Sequence, residues 1–520
     1  MRLLSRCRHY TCAAADRIEA GKYFYLYCFL MLFLYVAAVR AASRALWYDE
    51  LLTFYMSHLP SMRAVWAGLR SGADLNPPFL YIATRASLRL FGDGPVGARV
   101  PAMAGFVVMS ICLFRFVSRR TNGLYGLVAM LFPWITGAAR YAYEARSYGL
   151  VLGFSGIALV CWQGACEQKR RWWSLAGLTI GITGALMSHC YAVLLFVPLG
   201  AGELVRTVRA RRIDWAVWLA ILIPAPLVLT YLPLMRTNNG VALANAKFEP
   251  RLASIWEFAV MVLGPAIWTW LAAFAVVLLP ARRASESPDA PAKSVPVHEL
   301  AAAAGLVSVP LCVLIMAFTI TRIFETRYGL LAVVGFAILF TLLAYARTAN
   351  RRITGVLLVA TFLAGFLVNS FWAPPDDTPQ SMTIRGIEPD QVEKDLPFVI
   401  ANGTLFLQVD HFAKPELTSR LYLLRDSQAA VRYTGSNVFE IGYPILQSWF
   451  PIKGHVEDYQ TFISRHDRFM VFGPMHDPLD WLIFKLVDDG AQMNFRGQFG
   501  DSLLFEVTPK PTLSARRAGN

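Results

Sequence analysis

Eleven apolar runs, each about as long as a bilayer is thick, fill the first ~372 of 520 residues and leave this chain few folds to choose from. A helix needs ~20 consecutive apolar residues to cross the hydrocarbon core, with ~17 as the lower limit. Such runs stand at approximately 23–43, 95–117, 122–139, 148–166, 172–188, 190–205, 213–235, 255–280, 300–320, 328–346 and 353–372. In lipid the backbone must satisfy its own hydrogen bonds, so runs of this kind are helical. Only 16% of the residues are charged and mean hydropathy is +0.44, whereas soluble domains carry about 25% charge. The fold class expected is a polytopic α-helical membrane protein of about eleven transmembrane helices, followed by a soluble C-terminal α/β domain.

The charges between the runs test this count. Basic clusters fall in alternate connections: "RR" at 119–120, "KRR" at 169–171, "RTVRARR" at 206–212, "ARR" at 281–283 and "RTANRR" at 347–352. Short cytoplasmic loops are rich in Lys and Arg, and all five lie on the side of the basic N-terminus. The net charge of +14 thus reflects topology, and no nucleic-acid partner is expected. No small-residue cleavage site follows the first run, which reads as a retained signal anchor. The expected layout is a cytoplasmic N-terminus at 1–22, a membrane domain at 23–372 with a first outer loop at 44–94, a flexible cytoplasmic linker at 281–298 and an extracytoplasmic domain at 374–520. Eight cysteines are present and none follows residue 312, so the tail uses no disulfide.

The polar residues that topology does not explain gather on the outer side. Asp49 and Glu50 follow the first span in "RALWYDELLTF". Further along the loop, Phe79, Ile82, Ala83, Ala86 and Leu90 share one helical face while Arg85 and Arg89 lie on another, the pattern of a helix in the membrane interface. "RYAYEARSYG" supplies Arg140, Glu144 and Arg146, "MSHCYA" supplies His189, and "TRIFETRYG" supplies Arg322, Arg327 and Tyr328. The planar fork of arginine suits bidentate phosphate binding and keeps its charge. An adjacent carboxylate pair offers a proton acceptor and a group to orient a hydroxyl or hold a metal. Two carboxylates are too few to argue a divalent ion site, so a metal cofactor stays open. Arg140, Arg322 and Arg327 could instead mark membrane edges by snorkelling, and His189 could be a satisfied turn residue.

"WYDE" after span one, "NPPFLYIATRASLRLFGDGPVGARVPA", "YEARSYGL" before span four and the late "RY" at 327–328 together resemble the GT-C superfamily of membrane glycosyltransferases. The nearest group is the protein mannosyltransferase-like one, which includes lipid A aminoarabinose transferases and Rgt-type galacturonosyltransferases. The resemblance implies an inverting transferase that takes a sugar from a polyprenyl-phosphate donor outside the cytoplasmic membrane. It implies a catalytic role for Asp49 with Glu50 beside it. It implies donor or substrate binding by Asn76, Arg99, Glu144, Arg146, His189, Arg322, Arg327 and Tyr328. Two departures occur: Asn76 stands where many relatives have His, and Cys190 separates His189 from Tyr191. Asn cannot titrate, so a proton-transfer role there is in doubt.

The implied partners are a polyprenyl-phosphate sugar, a lipid, glycan or protein acceptor, and membrane lipids, in the bacterial cytoplasmic membrane. A lipid-linked sugar transporter or a non-catalytic envelope-assembly partner is the alternative. In the tail, "PFVIA", "RFMVFG" and "SLLFEV" read as strands, and 415–426, 456–466 and 478–490 have helical spacing.

Overall fold

The computed structural model describes residues 13–168, 170–231, 233–234, 249–278, 295–348, 352–371, 395–474 and 479–510. Residues 1–12, and the linker expected at 281–298 apart from Val295–His298, lie outside them. The chain falls into two compact units. One is drawn from Met1–Ser43, Asn76–Leu232 and Pro250–Pro374, the other from Arg44–Leu75, Pro233–Glu249 and Pro375–Asn520.

The first unit is helical, and every apolar run expected from the sequence forms helix in it. Among the described residues, six helices are long and apolar enough to cross a membrane: Lys22–Ser43, Pro95–Ser118, Tyr148–Cys166, Cys190–Ala210, Ala253–Leu278 and Arg352–Phe371. The pair Val297–Val307 and Val309–Thr321, bent by 45°, makes a seventh if counted as one broken span. The apolar helices Gly123–Ile135, Trp215–Thr230 and Leu331–Arg347 are shorter. Proline explains two of the breaks. Pro133 ends the Gly123–Leu131 helix in a 3-10 turn, and Pro310 sits at the bend of the seventh span, because proline lacks the N–H and clashes with the preceding turn.

Small residues let the bundle close near the start of the Tyr148–Cys166 helix. A Cβ added to Gly149 would run into the Ala102 carbonyl, and one added to Gly105 would meet the Gly149 backbone. Close approach of this kind is the usual basis of helix association in lipid. It fixes the start of the Tyr148–Cys166 helix against the Pro95–Ser118 helix. At the other end of the bundle the basic loops meet. Arg120 donates to both oxygens of the fully buried Glu299 and pairs with Glu167 at 2.7 Å. Arg206 bridges Glu203 and Asp214, Arg171 reaches Asp214 at 2.6 Å, and Trp162 Nε1 donates to Glu203 at 3.0 Å.

The second unit is a six-stranded sheet with helices. Its strands are β1 (Phe398–Ile400), β2 (Leu421–Arg425), β3 (His455–Asp458), β4 (Phe469–Pro474), β5 (Gln492–Phe499) and β6 (Ser502–Thr508), in the order β3-β2-β1-β4-β6-β5. The first four run parallel, and β6 pairs antiparallel with both β4 and β5. The helix expected at 415–426 is corrected: only Pro415–Thr418 is helical, and "LYLLR" is β2. A strand buried in a parallel sheet reads as a continuous apolar run, which periodicity does not separate from helix. Likewise β3 takes the start of the 456–466 segment, leaving Tyr459–Arg465 as helix. Two helices of the segment that follows the first span, Tyr48–His58 and Met62–Ser71, belong to this unit.

Candidate active site

In the first unit a cavity of about 20 Å³ is lined by Tyr148, His189, Tyr191, Arg327 and Tyr328 with apolar neighbours. That is room for about one water molecule. The lining comes from three chain segments. Tyr148 begins the helix locked by Gly105 and Gly149, His189 ends the Arg171–Ser188 helix, and Arg327 and Tyr328 lie in the Thr326–Gly329 turn. Tyr191 and Tyr328 stack with ring centroids 4.1 Å apart, and the Tyr191 hydroxyl donates to Thr321 Oγ1 at 3.0 Å. The His189 ring stands 5.3 Å from Tyr148 and 5.5 Å from Tyr328, and the Arg327 guanidinium lies 6.0 Å from the Tyr148 ring centre.

The electrostatics of this cavity follow from burial and charge. Loss of solvent, then the positive charges of Arg146 and Arg327, push the His189 pKa down to about 3. The ring is therefore neutral at physiological pH. The Tyr191 backbone N–H donates to its Nδ1 at 3.1 Å; a backbone N–H can only donate, so the ring proton sits on Nε2. His189 is thus a neutral donor between two arginines. Burial also raises the Tyr141 phenol to about 12, and Glu144, Arg140, Arg327 and Glu325 all act on it. Glu144 accepts from Arg140 Nε at 3.3 Å, and Arg327 lies 3.8 Å from Glu325.

The remaining residues singled out in this unit are scattered. Arg99 is fully buried and donates to the Ala41 carbonyl at 2.6 Å, tying the second span to the end of the first. Asn76 is buried and accepts from the Ser147 hydroxyl at 3.2 Å, one residue from Arg146. Arg322 is exposed, with a left-handed φ of 59° after a short π-helix at Ala317–Thr321, and does not line the cavity.

In the second unit, Asp49 and Glu50 open the Tyr48–His58 helix, where carboxylates complement the helix dipole. Their environments differ. Glu50 is fully buried and its Oε2 accepts from the Trp47 N–H at 3.2 Å, closing the first turn. Asp49 is half-buried. Burial and the negative charges of Asp49 and Asp74 raise the Tyr48 phenol far above its usual range. Sequence reasoning passed over Tyr148, Tyr191 and Asp74. Their convergence with His189 in the fold is what marks the two tyrosines out. Among the described residues, no group of three or more His, Cys, Asp or Glu could hold a metal ion.

Known proteins share the fold. Residues 75–232 match the family described as "Dolichyl-phosphate-mannose-protein mannosyltransferase". ArnT from Cupriavidus metallidurans in the apo state superposes with a TM-score of 0.53 at 12% identity, covering 93% of this chain and 97% of that one. Its form bound to undecaprenyl phosphate gives 0.53 at 11% identity, covering 93% and 98%. The chain has a GT-C fold. The match spans nearly the whole of both chains. A comparison with curated proteins found no match.

Proposed function

We propose that this protein is an inverting glycosyltransferase that moves a sugar from a polyprenyl-phosphate donor to an acceptor on the outer face of the bacterial cytoplasmic membrane, with its N-terminus in the cytoplasm. The observation that carries this reading is a pairing of two cavities within the helical unit. An apolar groove of about 270 Å³, lined by Ile255, Phe258, Val262, Pro310 and Phe336 among others, suits an isoprenoid chain. The Thr326–Gly329 turn rests on its wall: a Cβ at Gly329 would stand 2.9 Å from Phe258 and 3.1 Å from Pro310. The same turn carries Arg327 and Tyr328 to the lining of the small aromatic cavity. An apolar slot beside a turn that carries an arginine offers a lipid phosphate a place for its chain and a cation for its head, although the aromatic cavity itself has room for only about one water molecule. ArnT, which shares the fold, has been crystallised with undecaprenyl phosphate.

The chemistry then divides by charge. The acceptor hydroxyl gives its proton to the Asp49 carboxylate as its oxygen bonds to the anomeric carbon. The bond from that carbon to the phosphate oxygen breaks, and its electron pair leaves with the polyprenyl phosphate. That phosphate is already ionised, so it needs cations rather than an acid. Arg146 and Arg327, with the Nε2–H of His189, supply fixed positive charge and a donor. Glu50 acts as the cap that holds the start of the Asp49 helix, not as a second base.

Transfer is measured with the purified chain in detergent, using a panel of undecaprenyl-phosphate-linked hexoses and pentoses and envelope glycolipids as acceptors. A transporter gives no product without compartments, so turnover there separates the two classes. Asp49→Asn is expected to abolish transfer while leaving membrane insertion intact. Full activity in that variant would remove Asp49 from the mechanism.

A further inference from the structure

The helix that carries Asp49 is only eleven residues long. Helices shorter than ~12–15 residues are marginal alone in water, so something must hold it. The partner is drawn from the far end of the chain. Tyr55 Oη lies 2.8 Å from His411 Nδ1, a hydrogen bond between residues 356 apart in sequence. The Tyr55 ring stacks on Phe450 at 5.2 Å, and Gln408 Nε2 donates to the Leu46 carbonyl at 3.2 Å, just before the helix begins. Tyr48 meets Phe439 edge-on at 5.8 Å.

These contacts are themselves braced. Gln408 and His411 lie on the Gly403–Phe412 helix, whose next-to-last turn is anchored by the buried Asp410 accepting from Lys453 and Gly454 N–H groups. That bond sets the loop presenting Phe450. Tyr443, beside Phe439 on the Val438–Trp449 helix, donates to the Gly403 carbonyl. Tyr48 and Tyr55 are seven residues apart and share one stripe of their helix, while Asp49 is turned about 100° from it. The stripe is used for mounting, and the carboxylate keeps a separate direction.

We propose that the C-terminal domain is a positioning element for catalysis: through Tyr55–His411, Gln408–Leu46 and Tyr55–Phe450 it fixes the orientation of the Asp49 helix. This rests on Asp49 being the base. His411 and Tyr55 are positioning residues in this scheme, acting through Asp49.

The test uses the full chain with whichever undecaprenyl-phosphate sugar turns over in the panel above, and undecaprenyl phosphate itself as the binding probe. Tyr55→Phe and His411→Ala are each expected to lower kcat roughly tenfold, with KM for the donor and affinity for undecaprenyl phosphate unchanged. The double variant is expected to lose no more than the worse single, because both remove one interaction. His411→Asn, whose amide can replace Nδ1, recovers most of the rate. Amide exchange of residues 48–58 rises in the two damaging variants and returns in His411→Asn. Unchanged kcat with raised exchange, or losses that simply add, would overturn the proposal while leaving Asp49 as the base. Should Asp49→Asn retain activity, both this inference and the mechanism fall together.

Discussion

The two ends of the helical unit handle charge in opposite ways. At the end where the basic loops meet, Arg120, Arg171 and Arg206 are matched by Glu167, Glu203, Asp214 and Glu299, and two of these carboxylates are fully buried. At the other end Arg327 lines an aromatic cavity, Arg146 and Arg327 both act on the histidine in it and hold it neutral, and Arg140 donates to Glu144. Matched charges hold helices in register. Guanidinium groups beside a neutral donor are an arrangement suited to an anion.

Substitutions should therefore fail differently at the two ends. The largest expected effect is on stability at the matched end. Glu299→Ala leaves the half-buried Arg120 with only part of its charge compensated and is expected to cost about 3 kcal/mol, read as lower yield in membranes and a lower unfolding temperature. A variant as stable as the parent would show that the network is ornamental. At the cationic end, Arg327→Gln is expected to lower kcat by about 10²–10³ with little change in unfolding temperature. Equal losses of stability at both ends would erase the contrast.

A smaller effect sharpens the account of His189. Its pKa is depressed in the folded state to about 3 from a reference value of 6.5. The unfolded chain therefore takes up that proton first, and stability falls as pH drops from about 6.5 toward 3. His189→Asn keeps an acceptor for the Tyr191 N–H but cannot titrate, so its unfolding temperature should decline less over that range. His189 itself should contribute no inflection to the kcat profile between pH 5 and 8, so the profile of His189→Asn should keep the parent's shape in that range.

Much of this was legible in the sequence, for identifiable reasons. Apolar runs of bilayer length announced the helices, and β1, β4 and β6 stood out between turn residues. β2 did not, because its buried run carries no alternation, and β5, largely exposed along its length, offers no apolar stripe. At the site, Arg146, His189, Arg327 and Tyr328 were visible as polar residues in outer loops. Arg99 has the same chemical look yet serves as a buried tie to Ala41. Glu50 and Asp49 are adjacent letters with different uses, cap and carboxylate, and only the Trp47 N–H separates them. The mounting of that helix on a domain more than 350 residues away lies beyond any local pattern.

The most direct measurement is the affinity of the purified chain for undecaprenyl phosphate, in the parent and in an Arg146→Gln, Arg327→Gln double variant of unchanged unfolding temperature. The account predicts at least a tenfold weakening in the double variant. Equal affinity in the two would contradict it, because the lipid phosphate would then be held elsewhere.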